Sequence, residues 1–158
     1  PYFYFTWGAA VSEALIDINT GENRILRADI IQDCGNSLNE NIDIGQIEGG
    51  FIQGLGWLTC EELYFSQEGK LLTTGPSTYK LPGSRDVPPI FNVKLLENAD
   101  NDEKTIFRSK AVGEPPLLLA ISHFLALKEA IKASLPSSKA ELLNSPATPS
   151  EILKAIYA

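Results

Sequence analysis

Two adjacent prolines, Pro115 and Pro116, constrain this chain more than any other feature. Proline has no backbone N–H and a fixed φ, so it suits the first turn of a helix and breaks a helix interior. The run Leu117-Leu118-Leu119-Ala120 therefore opens a helix, predicted over 117–133. Leu117, Ile121, Phe124, Leu125, Lys128 and Ile131 carry the helical period, with apolar residues on more than one face, so this helix is expected to be buried. Glu114 stands just ahead of its first turn. Gly113 before it lets the backbone bend sharply or come close to a neighbour. One carboxylate is thus expected at the positive end of a buried helix. The ordinary reading is a favourable charge–dipole contact, and the sharper one is a catalytic acid or base.

Size and charge narrow the classes. At 158 residues the chain can bury one sizeable core. A net charge of −7 argues against nucleic-acid binding, which needs clustered basic groups. No apolar run approaches the roughly 20 residues that a membrane-spanning helix needs, and no signal peptide is evident. The sequence starts at Pro1 and contains no Met, which suggests a piece of a longer polypeptide. Part of any active site is then expected to lie elsewhere. Cys34, Cys60 and the single His123 do not form a metal-ligand or disulfide pattern. No metal ligand is therefore assigned to a side chain, and a reducing cytoplasm fits. His123, inside the apolar helix, is expected to be a packed or edge residue.

The remaining elements follow in order. Residues 6–18 and 24–33 read as a hairpin joined by Asn19-Thr20-Gly21-Glu22. Residues 42–62 read as a helix. Ile44, Ile47, Phe51, Leu55 and Leu58 form its apolar stripe. Gln46, Gly49, Gly50 and Gln53 repeat on the opposite side, with Gly45, Gly54 and Gly56 adding more glycine. Each interior glycine costs about 1 kcal/mol against alanine. A helix this rich in glycine needs a close neighbour, either another helix or a ligand. The two amides favour a polar ligand, because each offers donors and an acceptor. A short hairpin is expected at 61–65 and 70–74, then an ordered loop over Gly75-Pro76-Ser77-Thr78-Tyr79-Lys80-Leu81-Pro82. Strands are expected at 90–97 and 105–108, a linker at 136–146, and a capping box, Thr148-Pro149-Ser150-Glu151, opening a short helix to Tyr157. The fold class is α+β, with mixed or antiparallel strands and two long helices.

These motifs stand in a recognisable order. Asp43-Ile44-Gly45-Gln46 with Glu48-Gly49, then Gln53-Gly54-Leu55-Gly56, Gly75-Pro76-Ser77-Thr78-Tyr79-Lys80 and Ser109-Lys110-Ala111-Val112-Gly113-Glu114-Pro115-Pro116 resemble the xanthine dehydrogenase/xanthine oxidase family. The chain is similar to the C-terminal part of that family's molybdenum-cofactor-binding domain, most of all to the bacterial molybdenum-binding subunit. The resemblance covers residues 1–133, with 134–158 as linker and short C-terminal helix. It implies a molybdenum hydroxylase that oxidises xanthine or hypoxanthine with water as oxygen donor. Molybdenum–molybdopterin would be shared with upstream segments. Electrons would pass through 2Fe-2S clusters and FAD, in other domains or subunits, to NAD. It implies Glu114 as the general base and Gln46 as a cofactor contact. Gly45 and Gly49 would permit close approach, with Gly113 and Lys110 lining the same pocket. The implied partners are the remaining molybdenum, iron–sulfur and FAD parts, in an oligomer. An aldehyde oxidase of the same family is the alternative enzyme. A structural or assembly module, with the glycine helix packed on a partner, is the alternative from another class.

Overall fold

The computed structural model describes residues 3–158, so the expectations touching Pro1 and Tyr2 lie outside the described residues. Three strands form one mixed sheet. β1 (Gly8–Ile16) pairs antiparallel with β2 (Asn23–Gln32), and β3 (Ile90–Leu95) adds to β2 in parallel. The β1–β2 hairpin is as expected. Asp17 closes its turn by accepting from the Asn19 N–H at 2.8 Å, and Gly21 takes the positive φ of 74° that the turn requires. The parallel β2–β3 pair needs a long crossover, and the chain between them supplies helix α1 (Glu40–Thr59).

α1 packs across the sheet through Ile47, Phe51 and Leu55, which meet Ile25, Ala28 and Ile30 of β2 and Ala120. Phe51 also lies against Phe91 of β3, ring centroids 5.5 Å apart. Burying such side chains contributes about 1.5–3 kcal/mol each, more than the glycine penalty at any one position of the helix. A second cluster joins α2 (Ile121–Ser134) to α3 (Pro149–Tyr157) through Leu127, Ile131, Ile152, Ala155 and Ile156. Residues 136–146 supply Ala140 and Leu143 to that cluster and contain a 3-10 turn at Ala140–Leu142. The Thr148 hydroxyl accepts from the Glu151 N–H and caps α3, but the box is not reciprocated: Thr148 N–H donates to the Pro146 carbonyl at 2.8 Å, and Glu151 Oε2 accepts from Asn144 Nδ2 at 3.1 Å.

Four expectations are corrected. Residues 105–108 are not a strand. Ile106–Arg108 is a 3-10 turn in which Phe107 and Arg108 have φ of 50° and 61°. Buried Asn101 holds that turn, its amide donating to Thr105 Oγ1 and to the Ser109 carbonyl, both at 3.2 Å. The run after the prolines begins as a 3-10 segment, Pro115–Ala120, before the α-helix proper. The helix is also only half buried. His123, Leu127 and Ile131 face the core, whereas Leu118, Ile121 and Leu125 face out. The hairpin expected at 61–65 and 70–74 is reduced to a bridge between Phe65 and Leu71.

Candidate functional site

Glu114 occupies the position that caps the Pro115–Ala120 segment, yet its side chain makes no capping bond. The reason lies in the two prolines. A capping side chain bonds to the second or third N–H of the helix. Pro116 has no N–H, and Leu117 N–H already donates to the Glu114 carbonyl at 3.1 Å. The double proline therefore puts a carboxylate at a helix start and removes the donors that would hold it. Glu114 is exposed, and its carboxylate makes no hydrogen bond or ion pair among the described residues. The expected apolar surroundings are not provided by this chain.

The backbone on either side of Glu114 is held from two directions. On one side α1 receives it. A Cβ at Gly54 would stand 2.2 Å from the Leu117 carbonyl oxygen, and one at Gly50 would stand 3.2 Å from the Gly113 carbonyl oxygen and 3.3 Å from Pro116 Cβ. At Gly54 only glycine lets the Leu117 backbone come this close. The sequence pattern grouped Gly50 with Gln46 and Gly49, opposite the apolar stripe. Gly50 instead lies buried on the packing side with Gly54. On the other side, the end of β2 grips the segment. Gly35 and Ser109 form an antiparallel bridge, and Lys110 N–H donates to the Cys34 carbonyl at 2.7 Å.

Gln46 meets the same segment from the first half of α1. Its Oε1 lies 3.3 Å from where a Cβ on Gly113 would stand. Gln46 thus lies beside Gly113, the residue that precedes Glu114 in the chain. Gly45 and Gly49 flank Gln46 on an open face, with nothing within 4 Å of their missing Cβ positions. No helix covers this bare surface among the described residues. The N–H groups of Val112, Gly113 and Glu114 also lack partners among them. Unpartnered N–H donors, a free amide and an uncovered glycine surface suit a polar, anionic ligand of some size.

One expected contributor is placed differently. Lys110 does not reach toward Glu114. Its Nζ is 2.7 Å from Asp33 Oδ2, and the pair is sheltered, with side chains 10% and 1% exposed. Asp33, which sequence reasoning missed, ends β2 and also accepts from the Gly35 N–H at 2.8 Å. The loop 75–82 does not join the site. Tyr79 donates to Glu61 Oε2 at 2.6 Å beside the far end of α1, and that hydrogen bond raises the Tyr79 pKa. At 1.5 Å per residue, Gly56 lies about 15 Å along the helix from Gln46. Gln53 is exposed on α1, and Glu48 is half-buried. His123 is 1% exposed with Nδ1 unpartnered, and burial lowers its pKa to about 4. The thiols of Cys34 and Cys60 are free, and burial pushes both pKa values up.

A sheet crossed by a glycine-faced helix leaves an open polar surface at one end among the described residues. The chain belongs to the molybdopterin cofactor-binding domain family, whose sequence model matches residues 1–88, and to the xanthine dehydrogenase/oxidase family. It is 53% identical over 161 residues to the xanthine dehydrogenase/oxidase of Felis catus and 54% identical over 134 residues to the xanthine dehydrogenase of Dictyostelium discoideum. Those alignments cover 98% and 85% of this chain. The chain spans only 12% and 10% of the length of these two relatives. Among solved structures, quinoline 2-oxidoreductase from Pseudomonas putida 86 matches with a TM-score of 0.76 and 28% identity, over 89% of this chain and 17% of its own. The CO dehydrogenase of Oligotropha carboxidovorans shares the fold, with a TM-score of 0.81 at 20% identity, over 95% of this chain and 18% of its own.

Proposed function

We propose that this chain supplies the base-bearing wall of a molybdenum hydroxylase site acting on xanthine or hypoxanthine. The observation that carries the proposal is the Gln46 amide set beside Gly113, next in the chain to the unengaged carboxylate of Glu114. The purine substrate is favoured by relatives at 50–54% identity that are named xanthine dehydrogenase. Gln46 and the open backbone at Gly45 and Gly49 hold the molybdopterin. Gly113, lacking a side chain, leaves room for it beside the amide. When bound, the cofactor accepts the two electrons released as a carbon–hydrogen bond is oxidised. Glu114 does the proton work. Its carboxylate has no internal partner to give up, so it is free to take the proton of the attacking water-derived oxygen. Upstream parts of the full-length protein close the pocket and exclude water from Glu114. The 2Fe-2S clusters and FAD of other parts of the protein would supply the path for those electrons toward NAD.

Within this chain we assign cofactor contact to residues 1–133. Residues 134–158 brace α2 through Leu143, Ile152 and Ile156. Two free cysteines fit a reducing cytoplasm. Among the described residues no helix is long and apolar enough to cross a membrane.

General-base assistance contributes about 10²–10⁴-fold. Glu114→Gln in the full-length enzyme is expected to lose xanthine turnover by that factor while retaining its molybdenum. Near-normal turnover of this variant would remove Glu114 from the mechanism.

A further inference from the structure

Of the ion pairs among the described residues, Asp33–Lys110 alone is taken out of solvent, with side chains 1% and 10% exposed; each of the others keeps a partner at least 48% exposed. Removing two charges from water is expensive, so such a pair adds little net stability over an apolar replacement of similar volume. What it does specify is placement. Asp33 is fixed at both ends. Its backbone N–H donates to the Trp7 carbonyl at 2.7 Å, its Oδ1 takes the Gly35 N–H at 2.8 Å, and its Oδ2 takes Lys110 Nζ at 2.7 Å.

The stretch after Lys110 has little else to hold it. Ala111 N–H donates to Tyr4 Oη at 3.0 Å, and the N–H groups of Val112, Gly113 and Glu114 have no partner among the described residues. Locally the Glu114 backbone is held through its carbonyl alone, which accepts from Leu117 N–H at 3.1 Å. Its position is inherited from its two ends. The downstream end is the Pro115–Ala120 segment seated on Gly50 and Gly54. The upstream end is Lys110.

We propose that the Asp33–Lys110 pair is a positioning latch, tying the strand end to the loop so that the Glu114 carboxylate meets its substrate proton. This rests on the reading of Glu114 as the base. The lysine does not touch the cofactor. It acts through the backbone four residues on. A displacement of about 1 Å at a reacting group costs about 10²-fold in rate, so a slack latch should be visible in turnover.

The test uses the full-length holoenzyme carrying Asp33→Asn with Lys110→Met. This double variant removes both charges together, leaving no buried charge unpaired. The expected result has two parts. Amide hydrogen exchange across residues 109–114 accelerates at least tenfold, and kcat falls at least tenfold with KM within twofold. Molybdenum content and thermal midpoint stay near wild type. Unchanged exchange across 109–114, or an unchanged kcat, overturns the latch. Should the double variant fail to accumulate, Lys110→Arg keeps the charge, alters its reach, and is judged by the same two readouts. The two failures are distinguishable. Normal turnover of Glu114→Gln refutes the base, and static exchange in the double variant refutes the latch.

Discussion

Helix α1 carries two sets of glycines that do opposite jobs. Gly50 and Gly54 are buried, and the missing side chains are filled by the backbone of residues 113–120. Gly45 and Gly49 face open space, and nothing in this chain fills theirs. The first set replaces helix propensity with close packing. The second leaves its penalty uncompensated within the chain, about 1 kcal/mol for each glycine. An uncompensated penalty next to a free amide is what a ligand surface looks like from the protein's side. The polar residues divide the same way. Gln46 is unpartnered on the open side, where a ligand can satisfy it, and His123 is unpartnered on the closed side, where its charged form is excluded.

The closed side should titrate. His123 has a folded pKa of about 4 against an ordinary 6.5, so the unfolded chain binds the extra proton first. Stability is therefore full above pH 6.5 and falls as the pH drops toward 4. The loss is on the order of 3 kcal/mol at the acid end. Thermal midpoints of the full-length protein between pH 7 and 4.5 should show it, and His123→Leu should flatten the slope. An equal slope in the variant would assign the acid sensitivity to other groups.

Next in size are substitutions that separate the glycine pairs. Gly54→Ala drives a Cβ to 2.2 Å from a backbone oxygen that has no rotamer to escape into. Overpacking of this kind typically costs about 1–3 kcal/mol, and the thermal midpoint should fall accordingly. Gly49→Ala should do the reverse. In the cofactor-free full-length protein it should raise stability by about 0.5–1 kcal/mol, the ordinary helix gain. In the holoprotein it should lower molybdopterin occupancy, measured as molybdenum per chain. A Gly49→Ala enzyme with full occupancy would mean that this face is simply open to solvent.

The smallest effect on stability falls at the boundary of the two sets. Gly50→Ala brings a Cβ to 3.2 Å from the Gly113 carbonyl, a contact that a few tenths of an ångström of movement relieves. Its stability should stay within about 1 kcal/mol of wild type, since the helix gain and the strain oppose each other. The movement falls next to Glu114, so kcat should drop while the thermal midpoint barely changes.

Much of this was legible in the sequence, and the exceptions have physical causes. The hairpin, α1, β3 and the Thr148 cap are set by alternation, helical period and capping chemistry, which are local. The side of α1 to which Gly50 belongs was not legible, because glycine has no hydrophobicity to enter a periodic pattern. Thr105-Ile106-Phe107-Arg108 has strand-forming residues, yet Asn101 and Thr105 fold it into a turn through contacts with the Ser109 carbonyl. The family resemblance implies Lys110 as a pocket residue, whereas in the fold its Nζ pairs with Asp33. Its partner Asp33 lies 77 positions away, and only the folded chain brings the two charges together.

One surface, built from Gln46, Gly113 and Glu114, is proposed to receive the cofactor and its metal. Anomalous scattering at the molybdenum edge from crystals of the full-length holoprotein tests it most directly. The metal is expected in front of the Glu114 carboxylate, with the pterin against Gln46 and the bare face at Gly45 and Gly49. A molybdenum peak on another side of α1, with Glu114 and Gln46 both in solvent, would contradict the account.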